Sequence, residues 1–188
     1  MRVLFAGMPC ATSSIVLQTL LAAAIDVCGV VLPAGRWARA NAPAPIVPLH
    51  PPMLQLASAA PTLAERAWAH NLPVFELRRA DAPETLATLA ALRPDAASVA
   101  CFPLRLPPAL IALPPHGTLN VHPSLLPAHR GPAPLFWAFR AGEDSSGVTI
   151  HQMDADLDSG PIVRQARFAL PDGMSGAAAE TGTARLGA

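Results

Sequence analysis

The chain has 188 residues, about the length of one domain, and its 13 basic and 13 acidic side chains cancel. With 52% hydrophobic and 14% charged residues it lies far from the disordered class, while 22 prolines forbid long uninterrupted helices over much of it. Every basic residue is arginine and there is no tyrosine, which excludes a Schiff-base lysine, a Gly-Lys-Ser/Thr phosphate loop and tyrosine acid–base chemistry. Balanced charge argues against a nonspecific grip on a nucleic acid backbone but leaves room for a local basic patch.

Val3 to Ala6 is a short apolar run closed by Gly7 and reads as a first strand rather than a signal peptide. The segment from about Thr12 to Ala24 suits a helix through Ile15, Leu17, Leu20 and Leu21. Asp26 to Leu32, with Val27, Val30 and Val31, reads as a second buried strand. This β-α-β opening predicts a parallel pair in an α/β fold. Only Gly7 marks the first turn and no G-x-G-x-x-G follows, so NAD is not expected.

From Pro33 to Pro61 the chain is proline-rich, carries Arg36 and Arg39, and reads as a long loop or insertion. Thr62 to His70 suits a helix with Thr62 as N-cap and Glu65 as its capping-box partner, followed by a brief strand at Pro73 to Phe75. Pro83 to Arg93 is helical and stops before Pro94. Ala96 to Cys101 is a strand, a short helix spans about Pro108 to Leu113, and Gly117 to His122 is the next strand. Gly147 to Met153 and Pro161 to Phe168 complete an expected Rossmann-like, open, mostly parallel sheet of six to seven strands with helices on both faces.

Cys10, Cys28 and Cys101 are odd in number, far apart in the chain and set in apolar runs. Buried free thiols in a reducing compartment are expected, with no metal site. No apolar run reaches the ~18 residues of a membrane span, and the expected location is the cytoplasm.

In Gly117-Thr118-Leu119-Asn120-Val121-His122 the period of two sends Asn120 and His122 to one face. At the carboxyl end of a strand in an open sheet, the amide can polarise a carbonyl and the imidazole can move a proton. The same spacing fits a strand with one wet face. The proline-rich loop from Pro123 to Pro134 is suited to form a rigid wall. Asp154-Ala155-Asp156-Leu157-Asp158 gathers carboxylates in a turn without the ligand spacing of a Ca²⁺ loop.

Two runs, N-V-H-P-S-L-L-P-A-H-R-G-P-A-P from Asn120 to Pro134 and S-G-V-T-I-H-Q-M-D-A-D-L-D-S-G-P-I-V from Ser146 to Val163, resemble the formyltransferase family that uses 10-formyltetrahydrofolate. The opening R-V-L-F-A-G-M-P and the Arg-Gly-x-x-Pro after S-L-L-P are similar to its methionyl-tRNA branch and to the sugar N-formyltransferases. The resemblance implies Asn120, His122 and Asp158 as catalytic residues, with a protonated His122 helping Asn120 to stabilise the developing oxyanion. It implies a folate site lined by Ser124, Leu125, Leu126 and Pro127, with the pterin near Phe102 and Asp154, although Cys101-Phe102-Pro103 departs from the small, glycine-containing sequence expected there. His129 and His151 are expected to be structural or solvated. Arg130 is a candidate for the acceptor or the folate tail. Arg36 belongs to the segment that corresponds to the family's tRNA-contacting loop. The family's methionyl-tRNA branch continues into a C-terminal β-barrel domain, so one catalytic domain over residues 1–188 is expected without it, as a truncated form or a stand-alone homologue. The acceptor is then methionyl-tRNA or, alternatively, an amino sugar or other small amine; a folate-binding module without turnover is the third possibility. The oligomeric state is not legible in the sequence.

Overall fold

A computed structural model of the chain describes residues 1–35, 44–52 and 60–188. Among these residues eight strands form one sheet: β1 Arg2–Gly7, β2 Asp26–Pro33, β3 Ile46–Leu49, β4 Val74–Leu77, β5 Ala96–Ala100, β6 Thr118–His122, β7 Ser145–Gln152 and β8 Ile162–Ala169. Their order is β3-β4-β2-β1-β5-β6-β7-β8. The central strands from β4 to β6 are parallel, and β3, β7 and β8 join antiparallel at the two sides. The mostly parallel α/β sheet is as expected, with one strand more than six to seven. The extra strand is β3, which arises inside the proline-rich insertion. It lies at the sheet edge, where the missing N–H of Pro48 costs no central ladder bond.

Among the described residues six helices cover the sheet: α1 Ala11–Ala22, α2 Leu63–Ala69, α3 Pro83–Ala90, α4 Pro108–Ile111, α5 Pro134–Arg140 and α6 Gly176–Gly187. The capping box is present, with Thr62 Oγ1 accepting from Glu65 N at 3.2 Å and Glu65 Oε2 accepting from Thr62 N at 2.6 Å. On one sheet face Val16 and Leu17 of α1 and Leu63 and Ala67 of α2 pack with Phe5, Val30 and Val121. On the other, Leu89 of α3 and Leu110 and Ile111 of α4 pack with Leu4, Ala6 and Val31. A third cluster joins Leu135 and Ala138 of α5 to Ala179 of α6. Apolar side chains leaving both faces of the parallel strands explain their near-continuous hydrophobic sequences. No helix among the described residues is long and apolar enough to cross a membrane.

Candidate active site

Strand β6 places Val121 in the core beneath α1 and sends Asn120 and His122 to the opposite face, as the alternation predicts. The antiparallel partner β7 sets His151 directly across from Asn120 and Thr149 across from His122. The turn after β7 then brings in Asp158, whose backbone is left-handed at φ 50°. The two rings and the carboxylate are almost fully buried: His122 is 5% exposed, His151 2% and Asp158 8%.

Hydrogen-bond partners assign the protons. A backbone carbonyl can only accept, so His122 donates through Nε2 to the His129 carbonyl at 3.0 Å, and His151 donates through Nδ1 to the Gln152 carbonyl at 3.1 Å. His151 Nε2 lies 3.1 Å from Asn120 Nδ2 and 3.5 Å from Asp158 Oδ1. The second Asn120 hydrogen reaches Asp158 Oδ1 only at 3.4 Å, a weak bond that a better acceptor can displace. Asp158 Oδ2 accepts from Gly131 N at 2.8 Å and lies 3.6 Å from His122 Nδ1, too far for a hydrogen bond.

Burial pushes the His122 imidazole below its ordinary range, and this outweighs the His129 carbonyl and the Asp158 charge. The resting ring is therefore biased toward its neutral form. Burial alone would raise the Asp158 carboxyl, but His151, the Gly131 N–H and His122 together hold it below the usual carboxylate range.

The structure thus brings Asn120, His122 and Asp158 together and adds His151, which was expected to be structural or solvated. Sequence spacing alone could not reveal His151, because its place depends on the antiparallel register of β6 and β7. The other candidates are distributed around this cluster. The Ser124 hydroxyl is fully buried and donates to the Ala128 carbonyl at 2.7 Å, so it closes the loop rather than facing a ligand. Leu126 is buried, Leu125 half-buried and Pro127 exposed after a cis peptide bond. Thr149 Oγ1 donates to the Ser124 carbonyl at 2.6 Å and accepts from Leu126 N at 3.0 Å, which pins this loop to β7.

Phe102 packs against the core on the α3/α4 face. Asp154 folds its own turn, accepting from Asp156 N and Ser159 Oγ. Arg105 donates to the Ala155 carbonyl and links the Phe102 segment to that turn. Arg130 is exposed in an open groove of about 530 Å³, shared with His129, Trp137, Arg140 and Ala141. Arg36 lies outside the described residues.

Residues 37–178 match the family described as Formyl transferase, and the chain belongs to that family. It is 41% identical over 175 residues to a methionyl-tRNA formyltransferase from Chloroflexus aurantiacus, covering 91% of this chain and 50% of that protein. It is 43% identical over 122 residues to one from Xanthomonas campestris, covering 65% and 40%. The chain spans about half the length or less of these curated relatives. Among solved structures, a phosphoribosylglycinamide formyltransferase from Bacillus halodurans superposes with a TM-score of 0.72 at 22% identity, covering 99% of this chain and 87% of that one. A formyltetrahydrofolate deformylase from Pseudomonas syringae gives 0.66 at 19%, covering 99% and 59%. At such identities these two structures share the fold, and their different reactions leave the acceptor open.

Proposed function

We propose that this chain transfers a formyl group from 10-formyltetrahydrofolate to a primary amine, with methionyl-tRNA as the acceptor. The observation that carries this reading is the convergence of Asn120, His122 and Asp158 at the carboxyl end of β6, in a chain of this family. The donor supplies an electrophilic formyl carbon, and attack by the amine concentrates negative charge on the formyl oxygen.

Asn120 Nδ2–H leaves its weak contact with Asp158 to donate to that oxygen, and His122 exchanges the His129 carbonyl for the same oxygen. Asp158, ionised, holds the water through which the amine loses its proton and the leaving nitrogen gains one. His122 Nδ1 lies beside it as a second proton acceptor. No side chain acts as a nucleophile, consistent with the Ser124 hydroxyl being engaged within its loop. The loop from Ser124 to Pro127 forms the donor wall, and the turn from Asp154 to Asp158 with the Phe102 segment offers backbone to the pterin.

On the acceptor side, Arg130 and Arg140 form no ion pair or hydrogen bond among the described residues. They flank the exposed Trp137 beside the His129 carbonyl that holds His122. Two free guanidiniums next to an indole suit an acceptor that carries phosphate and a planar base. Zero net charge favours the second reading, a small amine acceptor.

The test is titration with 5-formyltetrahydrofolate, then transfer from 10-formyltetrahydrofolate to methionyl-tRNA and to amino sugars. Saturable binding, transfer to methionyl-tRNA and loss of turnover in Asn120→Ala are expected. Arg36→Ala should weaken transfer to tRNA alone. Transfer only to amino sugars would replace the acceptor. Binding without transfer to any amine would leave a folate-binding module.

A further inference from the structure

A second cluster lies at the point where the chain's connections diverge. Strand β1 leads through α1 to β2 on one side, while its other neighbour, β5, leads to β6; such a switch point opens a crevice at the carboxyl ends of the strands. Gly7 of β1 pairs with Ala100 of β5, so the segments that follow emerge side by side carrying Cys10 and Cys101. Glu180 enters from α6, which packs along α1. Both Sγ atoms and a Glu180 carboxylate oxygen lie within 4.8 Å of one another, and all three residues are half-buried. The expectation of buried thiols holds for Cys28 but not for Cys10 and Cys101.

We propose that Cys10, Cys101 and Glu180 form a zinc-binding site with three protein ligands and an open fourth position. Zinc takes thiolate at about 2.3 Å and carboxylate at about 2.0–2.2 Å, which puts tetrahedral sulfurs about 3.8 Å apart. The donors need only close by about 1 Å or less to reach that arrangement. Mg²⁺ and Ca²⁺ require all-oxygen shells, so two sulfurs exclude them. The carboxylate oxygen favours Zn²⁺ over Cu(I), which selects soft donors.

The donors are already oriented by neighbours, as metal ligands are. Ser13 N donates to Cys10 Sγ at 3.4 Å, and Thr12 Oγ1 donates to Glu180 Oε1 at 3.1 Å. Zinc binding forms two S–Zn bonds, and each thiol proton still present is released to the buffer as its S–H bond breaks. No hydrogen bond or ion pair among the described residues joins Cys10, Cys101 or Glu180 to Asn120, His122 or Asp158, and metal binding is read without any formyl transfer.

The test is titration of the fully reduced whole chain with Co²⁺ and Zn²⁺. One equivalent of Co²⁺ should give a sulfur-to-cobalt charge-transfer band with tetrahedral d–d bands, which one equivalent of Zn²⁺ removes. Cys10→Ser, Cys101→Ser and Glu180→Gln should each weaken binding at least about 10-fold, while Cys28→Ala leaves it unchanged. Zinc should raise the melting temperature of the wild-type chain, which checks binding without any variant. Absence of the charge-transfer band, or binding that survives both cysteine substitutions, would overturn the proposal.

Discussion

Asp158 accepts from Gly131 N and sits between two buried imidazoles, so its charge is held by partners that exist only in the folded chain. Its depressed folded pKa contributes stability that is present above the unfolded carboxyl value of 3.8 and lost as pH falls through the lower folded value. His122, also depressed, adds no penalty above its unfolded value of 6.5, and costs stability as pH falls from there through its folded pKa. Asp158→Asn keeps an acceptor for Gly131 but removes the charge. It should lower kcat by about 10²- to 10⁴-fold and flatten the acid limb of the stability curve, read by thermal melts at several pH values. On the proposed reading, in which a neutral His122 donates to the formyl oxygen, kcat/KM should be flat near pH 7 and fall on acidification through a pKa below 6.5. A rate that rises in that window would instead restore the protonated ring. The placement of Asn120 and His122 on one face was legible from strand alternation. His151 was not, because only the pairing of β6 with β7 brings it to Asn120.

At the scale of the element, the loop from Ser124 to Pro127 takes its shape from a neighbouring strand. Thr149 Oγ1 satisfies the Ser124 carbonyl and the Leu126 N–H, and Gln165 Nε2 reaches both Thr149 Oγ1 at 2.9 Å and the Leu126 carbonyl at 2.7 Å. Thr149→Val preserves the side-chain shape but leaves a buried N–H and a buried carbonyl each short of a partner. It should cost about 2–4 kcal/mol by denaturant unfolding and weaken 5-formyltetrahydrofolate binding, with retained affinity removing the loop from the donor site. The capping box of α2 was readable because Thr62 and Glu65 are neighbours in sequence. Helix α5 was hidden by the proline-rich run before it, although Pro134 occupies the first turn, where proline is tolerated. Strand β3 was hidden for a related reason: its pairing with β4, rather than its own composition, makes Ile46–Leu49 a strand.

Across the whole molecule, α6 holds the parts together: it packs along α1, contacts α5, and covers β7 and β8. Its close approach depends on small residues. A Cβ at Gly187 would lie 2.6 Å from Val148 Cγ2 and 2.9 Å from Val121 Cγ1, so the helix end rests on the strand that carries Asn120 and His122. A Cβ at Gly182 would run into the Phe168 ring. Gly182→Ala therefore sets two effects against each other. Alanine gains about 1 kcal/mol in helix propensity, whereas overpacking a fitted contact costs about 1–3 kcal/mol. Phe168 belongs to the cluster of Leu135, Ala138 and Ala179 and cannot turn away without opening it, so the packing cost should win. The expected net loss is up to about 2 kcal/mol, or up to roughly 8 °C in Tm for a chain of this length, measured by calorimetry. A raised Tm would mean that the ring moves freely and that α6 is held by α1 rather than by this contact.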